Sequence, residues 1–258
     1  MFLQNAACWS VPGGARATPH LSTSLASALR SCDIAHAKAI QALGKFASCD
    51  VGDALVQIGL RHGGYLSGLK MYSPGSNGTV AKIFGPAYTV RMVPSADKTS
   101  PTPPCHFADA IPKGSVVFVS QPKGLISACW GGLMSTRAKK LGAAGVVIDG
   151  QFRDISEHQE LNMGLFARGT SVLGSNTFTR SSELNVPVQY DNVEVDEKVT
   201  VTPGDYILGD QDGVVAIPVA HIEECVRLCQ ERYEIDQKTL EGLEAGEEMG
   251  SLIKKLRK

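Results

Sequence analysis

The chain has 258 residues, 43% of them hydrophobic and 20% charged, with a formal net charge of −1 at pH 7. This is enough chain to bury a substantial core, and it fits one main domain with appendages. The near-neutral charge gives no electrostatic basis for nucleic acid or an anionic membrane surface as a partner, and no run of about 18 apolar residues marks a membrane span.

Residues 1–31 read as an N-terminal extension, flexible or targeting. They contain Arg16 and Arg30, many Ser and Ala, and no acid before Asp33, the composition of a mitochondrial transit segment. The main domain is expected over 32–220. An alanine-rich helix is predicted over 34–46, then a second through Ala54, Leu55 and Ile58, capped by Ser48 or Asp50 and ending near Gly59. Six glycine and proline positions between Gly63 and Gly78 make the next segment irregular. A strand is predicted over 79–93, interrupted at Gly85-Pro86, with Tyr88, Val90 and Met92 on one face. A proline-rich loop over 94–104 and a helical turn over 106–111 lead to an apolar, central strand over 115–120.

Residues 130–157 carry the densest pattern. Gly131 and Gly132 precede an apolar stripe of Leu133, Met134, Ala138 and Leu141 at helical spacing, and Gly142 and Gly145 supply the stop. Val146, Val147 and Ile148 then fit a short strand buried on both faces. Beyond it come Asp149, Gly150, Arg153 and Asp154, and the crevice past strand carboxyl ends is where open α/β sheets bind small ligands. Arg153 offers a planar fork for a carboxylate, Asp154 an oxygen ligand for a hard cation, and the glycine turn backbone N–H groups for anionic oxygens. The competing reading makes Arg153 and Asp154 a surface ion pair, or Asp154 the cap of a helix over 155–161. His158, four residues on, is read as solvated or hydrogen-bonded, with metal ligation as the alternative.

Short strands are predicted over 166–170, 186–190, 199–201, 206–209 and 214–217, forming a more antiparallel layer, with a hairpin turn through Asp212-Gly213. A helix follows over 220–243, and residues 221–258 form a C-terminal helix and basic tail. The seven cysteines are scattered, without CxxC pairing, which fits a reducing compartment such as the cytoplasm, with the mitochondrion as the alternative. Cys225 and Cys229 read as buried hydrophobes in preference to a metal pair, and Cys129 lacks an evident histidine for nucleophilic work. No Walker, dinucleotide or serine-elbow motif is present.

Four segments in order, CDVGDAL from Cys49, GPAYTV from Gly85, GVVIDGQFRD from Gly145 and PGDYILGDQDGVVAIP from Pro203, resemble the RraA-like family, especially its 4-hydroxy-4-methyl-2-oxoglutarate aldolase and oxaloacetate decarboxylase members. The resemblance covers about residues 32–220. It implies an α/β/β sandwich like the phosphohistidine swivelling domain, assembled as a homotrimer or hexamer with sites at subunit interfaces. It places a substrate-binding turn on Gly131, Gly132, Leu133 and Met134, a substrate-binding arginine on Arg153 and a metal-binding aspartate on Asp154. It implies Mg2+ or Mn2+ as cofactor, a small 2-oxo acid as substrate, and carbon–carbon cleavage through a pyruvate enolate. The alternative within the family is a non-catalytic regulator of ribonuclease activity. One departure stands out: aldolase members often carry an acid where Gly132 stands, and its absence either moves proton handling to another acid or leaves this pocket working unlike those of its relatives.

Overall fold

The computed structural model describes residues 34–74, 82–192, 195 and 197–257. The expected extension over 1–31 and the start of the strand expected over 79–93 lie outside the described residues. In chain order the elements are α1 (Ser48–Ile58), β1 (Lys70–Ser73), β2 (Ile83–Pro94), β3 (Val116–Ser120), β4 (Ala128–Trp130), α2 (Gly132–Leu141) and β5 (Gly145–Phe152). There follow α3 (Ile155–Glu160), β6 (Leu165–Thr170), β7 (Thr179–Leu184), β8 (Val188–Asn192), β9 (Glu197–Val201), β10 (Tyr206–Gly209), β11 (Val214–Ile217), α4 (Ile222–Glu244) and α5 (Met249–Leu256). Residues 34–43 are also helical.

The main sheet runs β1-β6-β5-β3-β2-β10-β11, with β4 added beside β5 and β7 beside β2. Its centre, β2-β3-β5-β6, is parallel, whereas β1, β7, β10 and β11 pair antiparallel. β5 shows why the sheet is covered on both faces. Val146 and Ile148 pack with Trp130, Ala138 and Met134 on the helical side, while Val147 packs with Val188, Tyr190 and Val201 of the small β8-β9 sheet on the other. Layers of helix, sheet and second sheet make this an α/β/β arrangement, as expected. All three residues are fully buried, each contributing about 1.5–3 kcal/mol of transfer free energy. A third cluster fastens α1 and α4 to β10 and β11 through Leu55, Ile217, Ile222, Cys225 and Cys229, so both α4 cysteines act as small buried hydrophobes.

Several local expectations change. β2 continues through Gly85-Pro86 instead of breaking there, because Gly85 lies against Gly114, whose carbonyl oxygen would stand 2.3 Å from any added Cβ. β1, β4 and β7 were not expected. β7 contains Arg180, Ser181, Ser182 and Glu183 and no apolar alternation, and is held by its pairing to β2. The start of α1 is capped twice: Asp50 accepts from the Ala47 N–H at 3.0 Å, as expected, and from farther away Asp210 accepts from the Ser48 N–H at 2.7 Å and the Ser48 hydroxyl at 2.6 Å. The Asp212-Gly213 turn does join an antiparallel hairpin, β10-β11.

Candidate active site

The site begins where two adjacent parallel strands end. β4 pairs with β5 through Ala128↔Gln151 and Trp130↔Phe152, and the Arg153 N–H donates to the Trp130 carbonyl at 3.1 Å. The two chains then diverge, Gly131 into α2 and Arg153-Asp154 into α3. A cleft of about 80 Å³ opens in the fork, lined by Cys129, Trp130, Gly131, Leu133, Met134, Arg153, Asp154 and Ser175, with Ala128 at its base. The strand-end location expected from the sequence is the one found.

α2 starts at the glycine turn and stops at Gly142, a left-handed C-cap (φ 82°) whose N–H returns to the Ala138 and Lys139 carbonyls. Its buried face keeps most of the expected apolar stripe, with Ala138 buried and Met134 and Leu141 packed partly buried against the core, but not Leu133. Gly132, Ser135 and Ala138 face inward, while Leu133 is 82% exposed at the cleft mouth. The positive end of α2 is met by Asp154, whose Oδ2 accepts from the Gly132 N–H at 3.0 Å and lies 3.5 Å from Arg153 Nε. Asp154 therefore caps α2 across the cleft and makes no side-chain cap on its own helix α3. Gly132 stands behind the lining, its N–H already engaged, so of the expected substrate-binding turn it is Gly131, Leu133 and Met134 that face the cleft.

Both glycines leave room for neighbouring carboxylates. A Cβ on Gly131 would stand 2.7 Å from Asp154 Oδ2, and one on Gly132 would stand 1.6 Å from Glu157 Oε2. Glu157 places its carboxylate in the space a side chain at 132 would take. The available signal was its spacing, three residues after Asp154 and so on the same face of the first turn of α3. Gly174 makes similar room for Arg153, since a Cβ there would lie 2.8 Å from Nη1.

Three neighbours leave the site. Asp149 lies inside β5, longer than the expected 146–148 strand, and is 1% exposed. Its Oδ1 is paired with Lys123 Nζ at 2.7 Å and with Arg168 Nε. His158 is fully buried, with Nδ1 against Ser135 Oγ at 2.8 Å and Nε2 against the Arg153 carbonyl at 2.7 Å, so it is neither solvated nor a metal ligand. Burial pushes its pKa down, and the ring is neutral at pH 7. Cys129 reaches the cleft, but burial pushes its thiol up to about 12, which removes it as a nucleophile at neutral pH.

Among the described residues no group of three or more His, Cys, Asp or Glu stands as a ready metal cage. The donor set instead fits a hard cation held by one or two carboxylates that completes its shell with water and substrate oxygens, the habit of Mg2+. Asp154, on the cleft lining, is the carboxylate that would hold such an ion.

The fold is thus a covered mixed sheet with Arg153, Asp154 and Glu157 gathered at a strand-end glycine turn. The match to known proteins agrees: the chain fits the family model RraA-like, described as Aldolase/RraA, over residues 48–216, and it belongs to that family. It is 33% identical over 156 residues to "Putative 4-hydroxy-4-methyl-2-oxoglutarate aldolase" of Halalkalibacterium halodurans, covering 60% of this chain and 69% of that protein. It is 31% identical over 193 residues to protein DlpA of Legionella pneumophila, covering 72% of this chain but only 29% of DlpA. The crystal structure of Streptomyces coelicolor RraAS2, described as an unusual member of the RNase ES inhibitor RraA protein family, superposes with a TM-score of 0.64 at 25% identity, covering 78% of this chain and 95% of that one. Among the described residues no helix is long and apolar enough to cross a membrane.

Proposed function

We propose that the protein is a divalent-metal-dependent carbon–carbon lyase acting next to a pyruvyl group, by retro-aldol cleavage of 4-hydroxy-4-methyl-2-oxoglutarate and decarboxylation of oxaloacetate. The observation that carries this reading is the convergence of Arg153, Asp154 and Glu157 on the Gly131-Gly132 turn. The Arg153 side chain, 46% exposed on the cleft lining, binds the substrate carboxylate as a planar fork. Asp154 would hold a divalent cation, whose contribution when bound would be Lewis-acid chemistry. Bond cleavage leaves the enolate of pyruvate, whose developing charge Arg153 stabilises. In the aldol reaction the Glu157 carboxylate takes the proton of the substrate hydroxyl. Decarboxylation has no such proton to remove.

The cleft of about 80 Å³ is far smaller than the roughly 300–1,000 Å³ of a closed ligand pocket. It accommodates a pyruvyl end and leaves the rest of the substrate at the rim. There Leu133 is 82% exposed, an apolar side chain for a second copy to cover in the homotrimer or hexamer that the family resemblance implies.

The test is pyruvate release from each substrate by the purified protein, measured with Mg2+, with Mn2+ and with chelator. Release that depends on the ion supports the reading. No pyruvate from either substrate overturns it and favours the regulator reading, to which the likeness to RraAS2 lends support.

A further inference from the structure

Beneath the cleft runs a hydrogen-bond bridge that the proposed chemistry does not itself consume. Trp130 Nε1 donates to Ser135 Oγ at 2.8 Å, Ser135 Oγ meets His158 Nδ1 at 2.8 Å, and His158 Nε2 meets the Arg153 carbonyl at 2.7 Å. Trp130 is 2% exposed, and Ser135 and His158 are fully buried. The proton positions follow from the partners. A carbonyl only accepts, so Nε2 carries the hydrogen, Nδ1 of the neutral ring is the acceptor, and the Ser135 hydroxyl donates to it while accepting from Trp130. All donors therefore point one way, from Trp130 through Ser135 and His158 to Arg153.

The two ends of this bridge are the two walls of the cleft. Trp130 leads directly into Gly131, and the Arg153 carbonyl belongs to the peptide that leads into Asp154. That peptide leads into an unusual backbone, because Asp154 has φ 67° and ψ 48°, the left-handed conformation that is uncommon outside glycine. On the far side, the Asp154 carbonyl accepts from the Glu157 N–H at 3.1 Å. On the near side, His158 is the side chain that fixes the plane of the Arg153-Asp154 peptide.

We infer that His158 is a positioning residue, which through Ser135 and Trp130 ties the Arg153-Asp154 peptide to the Gly131 wall and thereby holds the Arg153 fork and the Asp154 carboxylate at the glycine turn. Its consequence for activity rests on the lyase reading above, while the bridge itself can be tested without it. Packing alone does not account for the arrangement. The ring lies 5.3 Å from that of Phe152, a contact that an apolar side chain of similar size would also make, whereas only a donor satisfies the Arg153 carbonyl and only an acceptor satisfies Ser135.

Three variants of the full chain separate these roles: His158→Leu, which keeps volume and loses both bonds; His158→Gln, whose amide can donate and accept; and Ser135→Ala, which removes the link to Trp130 but spares the bond to Arg153. Each is read by kcat and KM for pyruvate release and by hydrogen–deuterium exchange of peptides covering 131–135 and 152–158. His158→Leu is expected to lower kcat/KM about 100-fold, the scale of a misplaced reacting group, and to speed exchange in 152–158. His158→Gln should restore most of both, and Ser135→Ala should cost about tenfold. Equal behaviour of the Leu and Gln variants, or wild-type activity in His158→Leu, overturns the inference. If the wild-type protein releases no pyruvate, the lyase reading falls and exchange alone judges the bridge: unchanged protection of 152–158 in His158→Leu then overturns it. Should His158→Leu fail to fold, Ser135→Ala decides by the same two readouts, wild-type values in both refuting the bridge.

Discussion

Asp149 and Asp154 sit five positions apart on one stretch of chain and have opposite fates. Asp149 is inside β5, 1% exposed, its charge shared with Lys123 and Arg168. Asp154 lies just past the strand end, with a side chain 32% exposed, bonded to a helix N–H and flanked by Arg153. A carboxylate buried among cations belongs to the scaffold, because Coulomb attraction there mainly repays desolvation. A carboxylate at a strand end, half open to water and next to a cationic fork, is free to exchange a partner for an ion or a substrate. The difference is one of position along the strand, since the two side chains are chemically identical.

The sharpest way to break this comparison is to remove each in turn. Asp149→Ala leaves two cations facing a buried gap and is expected to cost about 3–5 kcal/mol, read as a lowered midpoint in urea denaturation. Asp154→Ala should move that midpoint far less, by the loss of one helix cap, about 0.5–2 kcal/mol. Its larger effect is on ion-dependent pyruvate release, expected to fall about a thousandfold, in keeping with the several kcal/mol that Lewis-acid help contributes. Full activity in Asp154→Ala would remove it from the site.

Next in size, Glu157→Gln should slow retro-aldol cleavage by about 100-fold or more, the usual contribution of a general base, yet leave oxaloacetate decarboxylation within a few-fold of wild type. Equal losses in both reactions would assign Glu157 to ion binding and not to proton transfer. The smallest effect concerns thiols. Iodoacetamide at pH 8 should label the exposed Cys49 and spare Cys129, whose thiol is pushed up to about 12 by burial, as mass spectrometry of tryptic peptides can show. Rapid labelling of Cys129 would mean that the cleft opens further than its fork suggests.

The parts legible in the sequence were those fixed by local rules. The glycine stop at Gly142, the doubly buried Val146-Val147-Ile148 and the charged tip Arg153-Asp154 all depend on residues close in the chain, and they fall where periodicity and capping place them. The parts that were not legible depend on distant partners. Asp149 looked like part of the tip because nothing nearby announces Lys123 and Arg168, which reach it from 26 and 19 residues away. His158 was readable as solvated or hydrogen-bonded, but not its partner: the helical turn points it inward onto Ser135, 23 residues earlier. Glu157 lies between these cases: its spacing from Asp154 was readable, but its approach to Gly132 required the fork between β4 and β5.

The backbone at Asp154 also reshapes what counts as a mild change in a relative of this protein. By ordinary substitution scores Asp→Glu is conservative and Asp→Asn loses the charge that matters. With φ at 67°, position 154 admits Asn and Gly at little conformational cost but resists longer side chains. Sequences drifting through this site therefore reach an uncharged residue more easily than a longer acid, so loss of the charge by Asn is the accessible route by which a lineage of this fold could abandon chemistry while keeping its shape.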